Sequence, residues 1–183
     1  MTRDEALDIL HEYTKSESLL KHAYAVEAAM RGYASILGED REYWGLVGLL
    51  HDFDWEIHPD IPDHPTKGAA ILRQRGIDEG LIQDILAHAP FTGVPRDTPV
   101  RRAIFAVDEL AGFIIAVALV RPSRSLGDLE AKSVKKKMKD KSFAAAVNRD
   151  EIVQGAEELG VPLDEHIGNV IAAMREVSVE LGL

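Results

Sequence analysis

The period of the apolar residues constrains this chain more than anything else in it. Leu19, Ala23, Val26, Met30 and Tyr33 recur at intervals of three and four, which lays one apolar stripe along a long helix. Gly38 follows that stripe and reads as its stop signal. Trp44, Val47, Gly48 and Leu50 keep the helical spacing over Glu42 to Leu50. Further helices are predicted from Thr66 to Arg75, ended by Gly76, and from Asp78 to His88, with Asp78 as N-cap and Leu81, Ile82 and Ile85 on the buried side. The most apolar helix runs from Pro99 to Val120, with Ile104, Val107, Leu110, Ala111, Ile114 and Ile115 facing inward, and Arg121-Pro122 closes it. Two more are expected over Arg149 to Leu159 and Leu163 to Leu181. Pro59, Pro62 and Pro65 forbid a regular helix between Phe53 and Pro65, so that segment reads as a structured loop, as does Pro90 to Pro99. No alternating strand pattern, repeat or low-complexity linker is visible. The expected fold is all-α, a compact multi-helix bundle in one domain spanning 1–183, with a core of about 17–120 and a helical C-terminal extension over 121–183.

Composition narrows the chemistry. The chain has no cysteine, which excludes disulfides, zinc ribbons and thiol nucleophiles. Any metal must be held by His, Asp or Glu, a donor set suited to Mg, Mn, Fe, Co, Ni or Zn. A formal charge of −10 disfavours a nucleic-acid polymer as partner. The first residues, MTRDEALDIL, carry acids where a signal peptide needs a basic start, and the longest apolar stretch, Phe113 to Val120, is too short to span a bilayer. A cytoplasmic location without membrane attachment is the expectation.

The histidines are few and informatively placed. His22 lies at the edge of the first apolar stripe, His51-Asp52 ends the second helix, and His88 closes another. Asp108 sits in Ala-Val-Asp-Glu-Leu-Ala-Gly, inside the most apolar helix. A carboxylate among such neighbours costs several kcal/mol to desolvate unless a cation neutralises it, and no basic residue adjoins it. Taken singly, each has a plain alternative: a hydrogen-bonded helix-end histidine, a helix C-terminus at His51-Asp52, or an aspartate on a solvated face. Together they make a bound metal cation an economical explanation, with neutral imidazoles and carboxylates as its N/O ligands.

The order His…His-Asp…Asp, with GLLHDFDW around the pair, resembles the HD-domain superfamily of metal-dependent phosphohydrolases over roughly Leu20 to Gly112. The resemblance implies that His22, His51, Asp52 and Asp108 ligate one divalent metal. His64, opening His-Pro-Thr-Lys-Gly, and His88 are similar to the additional histidines of the binuclear branches. By that analogy Asp52 bridges two ions and His64 and His88 hold the second. The short interval after Asp52, and His58 within it, depart from the pattern; His58 is expected to be exposed. The GYP signature of cyclic-dinucleotide phosphodiesterases is absent.

The implied activity is hydrolysis of a small phosphate ester by a metal-activated water, with Asp52 also helping to position that water. Lys67 is a candidate catalytic contact to a phosphate oxygen; its alternative is a solvated lysine of a first helical turn. Asp54 and Glu56 are candidate partners for a histidine or water, or else plain loop acids. Six lysines between Lys132 and Lys141, extended by Arg121 and Arg124, form either a solvated helix face or an electropositive rim. Three rival readings stand beside hydrolysis: a binuclear-iron oxygenase, a silent metal-binding regulatory module and a purely structural helical protein. The partners expected are a small phosphorylated substrate and, as an open possibility, further copies of this chain.

Overall fold

A computed structural model describes residues 1–183 as ten α-helices and one 3₁₀ turn, with no strand. The helices are α1 (Arg3–Tyr13), α2 (Glu17–Leu37), α3 (Arg41–Leu50), α4 (Asp63–Gln74), α5 (Glu79–Leu86), α6 (Pro99–Leu119), α7 (Ala131–Met138), α8 (Arg149–Leu159), α9 (Leu163–Arg175) and α10 (Ser178–Leu181). The all-α expectation holds. No helix is long and apolar enough to cross a membrane.

The local signals act as their chemistry requires. Asp78 caps α5 by accepting the Leu81 N–H, and Asp40 caps α3 by accepting those of Glu42 and Tyr43. Gly38 ends α2 in the left-handed region, at φ 75°, where a Cβ is disfavoured. Three boundaries differ from expectation. The chain opens with α1, held by a reciprocal Thr2–Glu5 capping box. Leu163 to Leu181 is broken after α9, because Val177 leaves the helical region at φ −117°, ψ 22°. The α4 helix starts at Asp63 rather than Thr66, with a kink at His64, whose backbone is extended at φ −81°, ψ 136°. The residue before a proline is pushed from the helical to the extended region, and Pro65 itself is tolerated in a first turn.

Helices α2 and α6 form the centre. Against α2 pack α3 and α9; against α6 pack α8 and, less extensively, α5 and α9. One continuous core runs from Ala6 in α1 to Leu181 in α10, so the last sixty residues share the core of the first. Two glycines permit close crossings. A Cβ on Gly48 would lie 2.9 Å from the Glu27 Cα and the Val26 carbonyl oxygen, so α3 meets α2 backbone to backbone. A Cβ on Gly155 would lie 2.5 Å from the Ala106 Cα, so α8 presses equally close on α6. The first crossing brings His22 of α2 to the end of α3; the second fixes α8 beside Asp108.

Candidate metal centre

Six of the seven ligand-type side chains singled out above converge. His22, His51, Asp52 and Asp108 form one group and Asp52, His64 and His88 a second. In the first, Nε2 of His22 lies 3.2 Å from Nε2 of His51 and 3.0 Å from Oδ1 of Asp108. Oδ2 of Asp52 is 3.4 Å from His51 Nε2 and 3.8 Å from His22 Nε2, and His51 to Asp108 is 3.3 Å. In the second, Oδ1 of Asp52 lies 3.1 Å from His64 Nε2 and 3.5 Å from His88 Nε2, which are 3.2 Å from each other. The two oxygens of Asp52 therefore face opposite pairs of histidines. His58 belongs to neither group.

The separations within each group fit ligands of a common metal ion. Two atoms each bonded to one ion at about 2.1 Å can be no more than about 4.2 Å apart, and every separation above is shorter. The outer ring nitrogens are also committed. Nδ1 of His51 donates to the Gly48 carbonyl at 2.8 Å, Nδ1 of His88 to the Ile85 carbonyl at 2.7 Å, and Nδ1 of His64 to Asp54 Oδ1 at 2.8 Å. These partners assign the proton to Nδ1 in each neutral ring and leave Nε2 as a lone pair. His64 and His88 thus point two lone pairs at each other and at a carboxylate oxygen, an arrangement of acceptors that a cation completes.

His166 provides the contrast. It is equally buried, yet its Nε2 donates to the Ala106 carbonyl at 2.9 Å and its Nδ1 accepts from the Tyr33 hydroxyl. Every polar atom of that ring has a matched partner. Burial accordingly holds its pKa down at about 4.

Electrostatics follow the same division. Burial opposes a charge on His51 and on His64, but Asp52 and Asp108 lift His51 well above its ordinary value, and Asp52 and Asp54 bring His64 to about 9. His88 is lowered, chiefly by burial. Against the cost of burial, the histidines hold Asp52 and Asp108 well below the usual carboxylate range. Glu109 is pushed up to about 7 by burial and by the neighbouring Asp108 charge.

A family model matches the chain. It is the HD domain, and it covers residues 19–112, just over half of the sequence. The chain belongs to the HD-domain family. That family is generally one of metal-dependent phosphohydrolase-type proteins, and the His/Asp cluster described above is consistent with its metal-binding motif. No solved structure gives a significant match.

Around this HD centre the structure sorts the remaining candidates. Asp54 is fully buried and accepts both His64 Nδ1–H and the Gly68 N–H, the latter at 2.9 Å, so of its two readings it takes that of a residue orienting a histidine rather than that of a loop acid. Gly68 is needed there, since a Cβ would lie 2.4 Å from the Asp54 carboxyl carbon. Glu56 instead accepts the N–H groups of Lys15 and Ser16 before α2. Lys67 is placed away from the six. Its ammonium pairs with Asp63 one turn back, both side chains are exposed, and it lines no part of the metal cleft. The lysine-rich stretch is α7, with Val134 buried. Lys132 pairs with Glu130, Lys135 with Asp164, and none of the six lysines lines the cleft.

The cleft over the HD centre also contains residues that sequence reasoning did not single out: Trp55, Phe91, Glu109 and Glu151. Trp55 lay in the GLLHDFDW run and Glu109 beside Asp108 in the apolar helix, whereas Phe91 and Glu151 carried no signal.

Proposed function

We propose that this HD-domain protein is a hydrolase of a small phosphate ester that works with two divalent transition-metal ions. His22, His51, Asp52 and Asp108 would hold the first ion, and Asp52, His64 and His88 the second. The observation that carries this reading is the placement of the two Asp52 oxygens toward separate histidine pairs. Ions held there would neutralise charge on a phosphoryl group and lower the pKa of water.

The protein's own contribution is positioning. The Gly48 and Ile85 carbonyls and Asp54 fix three imidazoles in the tautomer that presents Nε2 inward. His51, His64 and His88 are buried, while the cleft opens beside Asp52 and Asp108, so a substrate approaches from one side only. No Ser, Thr, Lys or Cys lines this cleft, in keeping with water as the attacking group. The whole chain, 1–183, is read as one domain, because the later helices share the core and α8 walls the cleft.

Elemental analysis combined with a phosphoesterase screen across Mn, Fe, Co, Ni, Zn and Mg tests the proposal. Two equivalents of metal and phosphate release that is equal with and without oxygen are expected. Asp52→Ala should lose both ions; unchanged stoichiometry in that variant would overturn the assignment.

A further inference from the structure

Resting on that phosphoesterase reading, we propose that the cleft selects the organic half of its substrate: a compact apolar alcohol, neutral or carrying an amine, and without further negative charge. The cavity measures about 570 Å³, a size suited to one small molecule. Apart from His22, Asp52, His64, His88 and Asp108, its walls are of two kinds. Trp55, Ile61 and Phe91 present apolar surface to the opening and are 37%, 67% and 44% exposed, and Val147 adds to them from the turn before α8. Large apolar side chains left open around a polar centre are the usual means of gripping an organic group.

The second kind of wall is acidic. Glu109 Oε2 accepts the Asn148 N–H at 3.1 Å, and Glu151 Oε1 accepts from the Asn148 side-chain amide at 2.8 Å. Asn148, which also caps α8, thereby ties both carboxylates into one strip, and neither is paired with a Lys, Arg or His. No Lys or Arg lines the cavity. The cations around it are committed elsewhere. Arg149 donates to the carbonyls of Phe143, Ala144 and Val147, Arg96 pairs with Glu158, and Lys67 pairs with Asp63. A second phosphate or a carboxylate on the substrate would find no counter-charge beyond the metal centre and would face Glu151; an amine would find a partner. Val147, Asn148 and Glu151 lie outside the segment that matches the HD family, so this wall comes from the chain's own C-terminal extension.

The two tryptophans give a direct readout, because Trp55 lines the cleft while Trp44 is buried in α3. The metal-free protein is titrated with 2-naphthylmethylamine, 2-naphthylmethanol and 2-naphthoate while both indole N–H signals are followed by NMR. The amine and the alcohol should shift the Trp55 signal and leave that of Trp44 in place. Naphthoate should bind at least about tenfold more weakly than the amine. The carboxylates and histidines of the centre also act on charged probes when no metal is bound, so the deciding quantity is the change on Glu151→Gln. That variant should narrow the amine-to-naphthoate ratio by about three- to fivefold and leave the alcohol unaffected. Glu109→Gln serves as the second variant should the first fold poorly. An unaltered ratio, naphthoate binding as tight as the amine, or an unmoved Trp55 signal would overturn the proposal. Metal-loaded protein is then given 2-naphthyl phosphate. Charge selectivity without hydrolysis under any metal would sink the phosphoesterase reading alone, and hydrolysis without charge selectivity would sink this inference alone.

Discussion

His166 predicts a defined loss of stability in acid. Its ring is fully buried, with Nε2 donating to the Ala106 carbonyl and Nδ1 accepting from Tyr33, so a second proton would reverse the Tyr33 bond and place a charge out of water. The folded protein holds this histidine at about 4 against an ordinary value of 6.5. The unfolded chain therefore binds the proton more readily, and stability falls as pH drops from 6.5 toward 4. That gap corresponds to about 3 kcal/mol, nearly all of it lost between pH 7 and pH 4. Glutamine at this position offers one donor and one acceptor but does not titrate. Urea unfolding of the wild type and of His166→Gln should be measured at pH 7, 5.5, 4.5 and 4. Other titrating groups contribute alike to both proteins and cancel in the difference. The wild type should lose about 3 kcal/mol more than the variant over that range. Parallel curves, differing by less than about 1 kcal/mol at pH 4, would refute the reasoning.

Other perturbations follow from the same geometry. His88→Ala should halve the bound metal and leave the ion at His22, His51 and Asp108 in place, as read by elemental analysis; loss of both ions would contradict a divided site. Asp54→Ala frees the His64 ring and strands the Gly68 N–H, so affinity for the second ion should fall by about 10- to 100-fold and stability by about 1–3 kcal/mol. Gly155→Ala forces a Cβ against the Ala106 backbone, and that overpacking should outweigh the gain in helix propensity by about 1–3 kcal/mol, seen as a lower Tm. Arg149→Met removes the guanidinium that gathers the carbonyls of the turn before α8, so KM should rise with metal content unchanged; an unaltered KM would separate that turn from substrate binding.

The amino-acid sequence by itself determined the helices and the family. Helical periodicity is a local property: the stripe from Leu19 to Tyr33 and the apolar run from Pro99 to Leu119 declare both the element and its buried face, and caps such as Asp78 act on N–H groups a few residues away. The HD pattern was legible for a related reason, since each ligand-type residue sits at a helix end or on an apolar face where an unpartnered polar group is costly. Other features depended on how helices cross. Asp54 and Glu56 are both acids two residues apart on one turn; only the packing of that turn sends Asp54 to His64 and Glu56 to the start of α2. Lys67 looked close to the centre along the chain, but the rotation of α4 carries it outward to Asp63. The acidic wall of the cleft joins Glu109 of α6 to Glu151 of α8, forty-two positions later, through a crossing that Gly155 permits. Which oxygen of Asp52 faces which imidazole is likewise a matter of fractions of an ångström between three elements, fixed by backbone contact at Gly48 and by the extended backbone of His64. A one-dimensional pattern records which side of a helix is buried, whereas the meeting of atoms from distant elements is set by the close packing of the whole core.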